Sequence, residues 1–128
     1  MNKPVIPFNK PFISGKELFY IADSVIKGHI SGNGYYTKAC ESYLQDFTHC
    51  EKVLMTNSCT AALEMACIWI DLKPGDEVIM PSFTCVSTAN AVVLIGAAPV
   101  FCDIIPRTFN RDETQLKSCL SDKTNAII

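Results

Sequence analysis

The fold is decided by residues 74–104, which read PGDEVIMPSFTCVSTANAVVLIGAAPVFCDI. Pro74 and Gly75 occupy the two central positions of a type II turn. Short apolar runs at 77–80 and 99–104 flank a longer run that ends at Gly96, so the segment predicts a strand, a helix and a second strand. Strands joined through a helix pair in parallel, which predicts an α/β fold with a buried parallel sheet.

The same alternation extends in both directions from this segment. Residues 52–56 predict a strand, 60–70 predict a helix that is apolar nearly all round, and 125–128 predict the start of another strand. The pattern indicates a mainly parallel sheet covered by helices on both faces. Because the chain stops within a strand, we interpret it as the truncated first part of a larger domain.

The N-terminal region has a different character. Ser14 and Glu17 have the spacing of a capping box before one helix, Gly28 is a plausible end to it, and a second helix is predicted near 37–47 with Cys40, Leu44 and Phe47 on its apolar face. We therefore divide the chain into an N-terminal helical segment, residues 1–51, and the first part of an α/β domain, residues 52–128.

Composition narrows the function classes. The 128 residues carry 11 basic and 13 acidic side chains without a basic run, which disfavours nucleic-acid binding. No secretory signal precedes residue 12, and the uncharged stretch 78–102 is broken by proline and polar residues, so we expect a cytoplasmic protein without a membrane span. Seven cysteines without a CxxC pair indicate neither a metal site nor a disulfide framework, and we expect buried, reduced thiols.

One candidate site lies in the segment 56–63, where a predicted strand end leads into a helix. Free amides and the positive end of the helix dipole favour a phosphate there. Ser58 and Thr60 add hydroxyl donors, and the small side chain of Ala61 allows close approach. The alternative is that Ser58 and Thr60 merely cap the helix.

A second candidate site is the segment 80–90, which also joins a strand end to a helix. It carries four hydroxyls and a carboxamide in an apolar neighbourhood. These groups need partners, which are either a ligand or the neighbouring backbone. Asp103, at the next strand end, either orients a neighbour or faces the site, and we expect the former. Trp69 is predicted to pack in the core.

Together these segments resemble the DegT/StrS-type sugar-nucleotide aminotransferases, which are pyridoxal-phosphate enzymes of aminotransferase fold type I. The likeness is colinear over nearly the whole chain and includes the motifs around 56–63, 74–79, 81–91 and 99–103. It implies that the cofactor phosphate binds the amides of Thr60 and Ala61 beside Ser58. It also places residue 85 against the cofactor ring. Relatives carry an aromatic residue there and this chain has Cys85, so either binding is weaker or Phe83 compensates.

The resemblance also implies a reaction. The amino group of L-glutamate would move to the 4-keto carbon of a nucleotide-linked 6-deoxyhexose of the dTDP-4-dehydro-6-deoxyglucose type, for surface polysaccharide synthesis. The family works as a homodimer with its active site at the subunit boundary, near the 32–36 loop. The cofactor-linked lysine of the family falls beyond Ile128, so no catalytic residue is assigned and the chain alone is expected to be inactive. A sugar-nucleotide 3-dehydratase and a non-catalytic remnant are the alternatives.

Overall fold

The computed structural model describes residues 5–128 and divides into two compact units, one ending at Met55 and the other beginning at Thr56. The first four residues of the predicted 1–51 segment lie outside the described part. The first unit contains helices α1 (Glu17–Ile26) and α2 (Tyr35–Thr48). The second contains, in chain order, α3 (Cys59–Trp69), β1 (Glu77–Pro81), α4 (Val86–Val93), β2 (Ala98–Cys102), a 3-10 turn (Glu113–Gln115), α5 (Leu116–Cys119) and β3 (Thr124–Ile127).

Half of the predicted capping box forms at the start of α1. The carboxylate of Glu17 accepts hydrogen bonds from the amides of Ser14, at 2.5 Å, and Gly15, at 2.8 Å. Hydrogen bonding from the backbone of Glu17 itself, and then from the Ser14 and Gly15 amides, lowers the pKa of Glu17 to about 2. The Ser14 side chain makes no cap bond, because Gly15 turns the chain with a φ of +99° and Lys16 becomes the capping position. Gly28, with a φ of +69°, follows the end of the helix as predicted.

A polar and aromatic cluster joins α1 to the start of α2. The Tyr36 hydroxyl donates to the Asp23 carboxylate at 2.7 Å, which raises the pKa of Tyr36 to about 12. Lys27 pairs with the same carboxylate, and its Nζ lies 4.0 Å from the centre of the Tyr35 ring. The hydrogen bond from Tyr36 to Asp23 and the cation–π contact between Lys27 and Tyr35 therefore connect the two helices.

The second unit is built on a three-stranded parallel sheet with the order β2-β1-β3. Three successive residues of the central strand, Val78, Ile79 and Met80, are completely buried. Because successive side chains point to opposite faces of a sheet, β1 is covered on both faces. The core around it also contains residues from α3, α4 and the connections between elements, namely Cys67, Leu72, Val92 and Ala97. The predicted parallel α/β architecture is confirmed.

The predicted turn before β1 is present and ties two strand starts together. The Asp76 amide donates to the Lys73 carbonyl at 3.0 Å, and Gly75 has a φ of +93°. The Gly75 amide then donates to the Gly96 carbonyl at 3.1 Å, directly before β2. Gly96 itself has a φ of +87° after the end of α4. The two glycines thus fix how β1 and β2 enter the sheet.

The prediction of a strand at 52–56 is wrong for the described structure. A strand needs a neighbouring strand to which its backbone groups can hydrogen-bond. In the sheet of the second unit, β1 pairs with β2 on one side and with β3 on the other, and residues 52–56 pair with none of these strands. The Met55 amide instead donates to the Glu41 carboxylate at 3.1 Å.

Several residues predicted to be buried are exposed. Trp69 is 80% exposed, and α3 buries Cys67 alone, because the main neighbour of α3 among the described elements is α4. On α2, Cys40 and Phe47 are exposed and Leu44 is half-buried. All seven cysteines are free, and four of them are exposed, so the expectation that the thiols are buried is wrong for these four. Within residues 5–128, no helix has both the length and the apolar character needed to cross a bilayer.

Alanine substitutions at glycines test the turn geometry. Gly75→Ala should lower the free energy of unfolding by about 1 kcal/mol, because a side chain is strained at its positive φ although the space is open. Gly96→Ala should cost more, since its Cβ would lie 3.2 Å from two Pro74 side-chain carbons. Gly32→Ala, which has open space and no positive φ, is the control. Denaturant unfolding measures all three, and equal stability of Gly75→Ala and the parent protein would contradict the assignment.

Candidate functional site

The starts of α3 and α4 point towards the carboxyl edge of the sheet. α4 leaves the carboxyl end of β1 and ends just before β2, so it runs opposite to the strands. α3 packs against α4 and ends close in sequence to the turn that enters β1. Ligands of open parallel sheets bind at the carboxyl ends of the strands, where helix starts present free amides. The geometry therefore makes this edge the candidate site.

Ser58 caps α3. It has extended backbone angles, and its hydroxyl accepts a hydrogen bond from the Ala61 amide at 3.1 Å. The Thr56 hydroxyl donates to the Ser58 carbonyl at 2.8 Å and shapes the approach to the helix. The capping interpretation of Ser58 is thus confirmed, whereas the Thr60 side chain takes no part in the cap.

Capping leaves donors at the start of α3 uncommitted. Among residues 5–128, the backbone amides of Cys59 and Thr60 donate no hydrogen bond. Ser58 is exposed, and Thr60 and Ala61 are half-buried, so an anion can reach these amides from solvent. A helix of 11 residues presents a positive dipole end at this point. The start of α3 can therefore hold an anion such as a phosphate group.

Cys85 occupies the capping position of α4, with its thiol exposed to solvent. The Ser87 hydroxyl donates to the Cys85 sulfur at 3.2 Å. This bond and a second one from the Ser87 backbone lower the pKa of the Cys85 thiol. A lower pKa raises the fraction of thiolate, which is the nucleophilic form of cysteine.

The hydroxyl groups of the second segment bond mainly to neighbouring protein groups. Thr88 is buried, and its hydroxyl lies 3.2 Å from that of Thr84. The Ser82 hydroxyl donates to Asp103 Oδ1 at 3.2 Å, so Asp103 orients a neighbour as we expected. Local partners thus account for much of the polar character of this loop.

The four predicted site residues all belong to the second unit. Ser58, Thr60 and Ala61 lie at the start of α3, Cys85 lies at the start of α4, and these two helices pack together. Phe83, the other predicted ring contact, packs against Phe109 with ring centres 5.2 Å apart. Sequence reasoning missed Phe109. The sequence signal nearest to it is Pro106, three residues earlier, which indicates a turn. A turn signal does not reveal which residue the Phe109 ring contacts.

Sequence comparison assigns relatives to this chain. A family model described as the DegT/DnrJ/EryC1/StrS aminotransferase family matches residues 13–128. The chain is 34% identical to GDP-perosamine synthase of Caulobacter vibrioides over 98% of its own length and 34% of that protein. It is 36% identical to dTDP-4-dehydro-2,3,6-trideoxy-D-glucose 4-aminotransferase of Saccharopolyspora spinosa, covering 97% of this chain and 32% of that one. The spore coat polysaccharide biosynthesis protein SpsC of Bacillus subtilis is 33% identical, with 96% and 31% covered.

Comparison with solved structures also finds aminotransferases. The aminotransferase TlmJ from Streptoalloteichus hindustanus superposes with a TM-score of 0.86 at 31% identity, covering 97% of this chain and 34% of that one. NtdA of Bacillus subtilis, solved with bound cofactor PMP, superposes with a TM-score of 0.80 at 32% identity, covering 86% and 25%. GDP-4-keto-6-deoxy-D-mannose-3-dehydratase of E. coli has a TM-score of 0.83 at 24% identity, covering 94% and 32%, and thus shares the fold.

The chain spans about a third of the length of the curated relatives it matches. Its two units therefore correspond to one part of a larger enzyme fold in those relatives.

The reactivity of Cys85 tests the geometry at the start of α4. Ser87→Ala removes the hydroxyl that lowers the pKa of Cys85, so the thiolate fraction near neutral pH should fall. Alkylation of Cys85 at pH 7.5 should slow by up to about tenfold per pKa unit regained, and the difference should vanish at alkaline pH. Peptide mass spectrometry measures the rate, with Ser118→Ala as the matched control. Superimposable pH profiles for Ser87→Ala and the parent protein would contradict the assignment.

Proposed function

Because the chain belongs to the DegT/DnrJ/EryC1/StrS aminotransferase family, we propose that it forms the N-terminal portion of a pyridoxal-phosphate-dependent aminotransferase that acts on a nucleotide-linked sugar. The observation that carries the proposal is the start of α3. Its uncommitted amides lie towards the carboxyl edge of a parallel sheet, in a chain that matches the family over residues 13–128.

The residues at the start of α3 fit the phosphate group of such a cofactor. The Thr60 amide is uncommitted, and the Ala61 amide is held by a hydroxyl that can itself donate. The amides of Thr60 and Ala61 would hold the phosphate, and the Ser58 hydroxyl, once released from the Ala61 amide, could donate to it. These residues would then offer bonds to a charged group, which are stronger than bonds between neutral groups.

Cys85 is the proposed contact for the cofactor ring. Its exposed thiol and its place at the start of α4 support this assignment. Phe83 is 64% exposed, but one of its faces packs against Phe109, so it contributes apolar surface beside the ring contact. Pyridoxal phosphate, when bound, supplies an electron sink for negative charge that develops on the substrate carbon. The described residues would bind and orient this group.

The proposed substrate is a nucleotide-linked 4-keto-6-deoxyhexose of the dTDP-4-dehydro-6-deoxyglucose type, with L-glutamate as the amino donor. The names of the three relatives support this class, since they include a perosamine synthase, a 4-aminotransferase of a dTDP-linked deoxy sugar and a polysaccharide biosynthesis protein. We further propose that the product enters surface polysaccharide synthesis in the cytoplasm. The proposed working form is a homodimer, in which the 32–36 loop lies near the subunit boundary.

Cofactor binding by the full-length protein tests the phosphate site. Ser58→Ala should weaken pyridoxal phosphate about tenfold, since it removes one hydrogen bond to a charged group. The same variant should leave the affinity for pyridoxal, which lacks the phosphate, unchanged. Absorbance titration gives both constants, and Ser118→Ala is the matched control because its hydroxyl bonds locally to the Gln115 carbonyl.

The reaction itself separates the possible outcomes. Incubation with L-glutamate and the dTDP-linked 4-keto sugar should yield 2-oxoglutarate and the 4-amino sugar. A dehydrated sugar in place of the amino sugar would indicate the 3-dehydratase reaction. A full-length protein that fails to bind pyridoxal phosphate would overturn the proposal and support a non-catalytic remnant.

A further inference from the structure

The connection after β2 forms a hairpin at the carboxyl edge of the sheet, which we call the edge hairpin, residues 103–111. Its two arms pair through an antiparallel bridge between Ile104 and Arg111. The Ile105 amide donates to the Asn110 carbonyl at 2.8 Å, and the Asp112 amide donates to the Asp103 carbonyl at 2.8 Å. This hairpin contains none of the residues to which the proposed function assigns a role.

The first arm of the edge hairpin contacts the loop that follows β1. The Asp103 carboxylate accepts hydrogen bonds from the Ser82 hydroxyl, at 3.2 Å, and from the Ile104 amide, at 2.8 Å. Next to it, the Ser82 amide donates to the Cys102 carbonyl at 2.9 Å. Ser82 is thus fixed through both its backbone and its side chain to the end of β2.

The tip of the edge hairpin contacts the same loop through an aromatic pair. The Phe109 ring lies 5.2 Å from the Phe83 ring, centre to centre. Phe109 has a φ of +59°, a conformation that is strained for a bulky side chain. Such strain persists where the surroundings hold the residue in place, and it concentrates at functional sites. The hairpin therefore places Phe109 on Phe83 against the backbone preference of Phe109.

The second arm contacts the residue that follows β3, the outer strand on the opposite side of β1 from β2. Arg111 Nη1 donates to the Ile128 carbonyl at 3.1 Å, directly after β3. Because β2 and β3 lie on opposite sides of β1, the edge hairpin contacts chain segments at the carboxyl ends of all three strands. Arg107, in the same hairpin, is exposed and makes no hydrogen bond or ion pair with the described residues.

We propose that the edge hairpin is the positioning element of the site, which holds the 82–85 loop, and with it Cys85, in the geometry that binds the ligand. Among the described residues, the hydrogen bonds and the aromatic contact that reach this loop from outside its own helix come from Cys102, at the end of β2, and from Asp103 and Phe109 of the edge hairpin. Asp103 and Phe109 act through Ser82 and Phe83, so they are positioning residues. The part of this inference that concerns a bound cofactor rests on the proposed function, whereas the ordering of the loop does not.

Hydrogen exchange without cofactor tests the ordering of the loop. In the full-length protein, Asp103→Ala and Phe109→Ala should raise the exchange rate of the peptide containing residues 82–87 several-fold, because local opening becomes easier when its contacts are removed. Arg107→Ala, which changes the same hairpin without removing a hydrogen bond or ion pair among the described residues, should leave the rate unchanged. Equal exchange rates in all three variants and the parent protein would overturn the proposal.

Cofactor affinity tests the consequence for the site. Asp103→Ala and Phe109→Ala should weaken pyridoxal phosphate about five- to tenfold and reduce the visible circular dichroism per bound cofactor. The conservative variants Asp103→Asn and Phe109→Tyr keep the acceptor and the ring, so both should recover most of the affinity. Unchanged affinity and dichroism in the alanine variants would overturn the positioning role. Failure of the parent protein to bind the cofactor would overturn the proposed function instead, and hydrogen exchange would still decide the inference.

Discussion

The burial of β1 between β2 and β3 is the constraint on which the second unit depends. Val78, Ile79 and Met80 are inaccessible to solvent, and each face of the strand contributes to the core. Parallel neighbours on both sides require the chain to return to the amino edge after every strand, and helices make that return. One buried strand therefore dictates that loops leading into helices collect at the carboxyl edge.

That constraint gives the site its chemistry. At the start of α3, Ser58 supports the helix by capping one amide while two others stay uncommitted. At the start of α4, the Ser87 hydroxyl stabilises the charged form of the Cys85 thiol, which lowers its pKa. Both helix starts thus favour negative charge, and phosphate is the group in the proposed cofactor that carries it. The edge hairpin then keeps the 82–85 loop in place.

Sequence patterns predict those features that depend on local chemistry. The turn at 73–76, the capping role of Ser58 and the strand–helix–strand order of 77–104 follow from residue type and spacing. The predictions that Trp69 is buried and that residues 52–56 form a strand were wrong. Burial of a side chain and pairing of a strand both depend on which other elements lie beside them. The contacts of Phe109 and Arg111 could not be predicted, since each joins segments that only the folded hairpin brings together. The assignments of Ser58, Thr60, Ala61 and Cys85 to a cofactor stay predictions.

The most direct test of the account is a crystal structure of the full-length protein with pyridoxal phosphate. We expect phosphate oxygens about 3 Å from the amide nitrogens of Thr60 and Ala61, and the Ser58 hydroxyl turned from the Ala61 amide towards the phosphate. A cofactor whose phosphate binds elsewhere, with the Ser58 cap on Ala61 intact, would contradict the central claim that the start of α3 is the anion site.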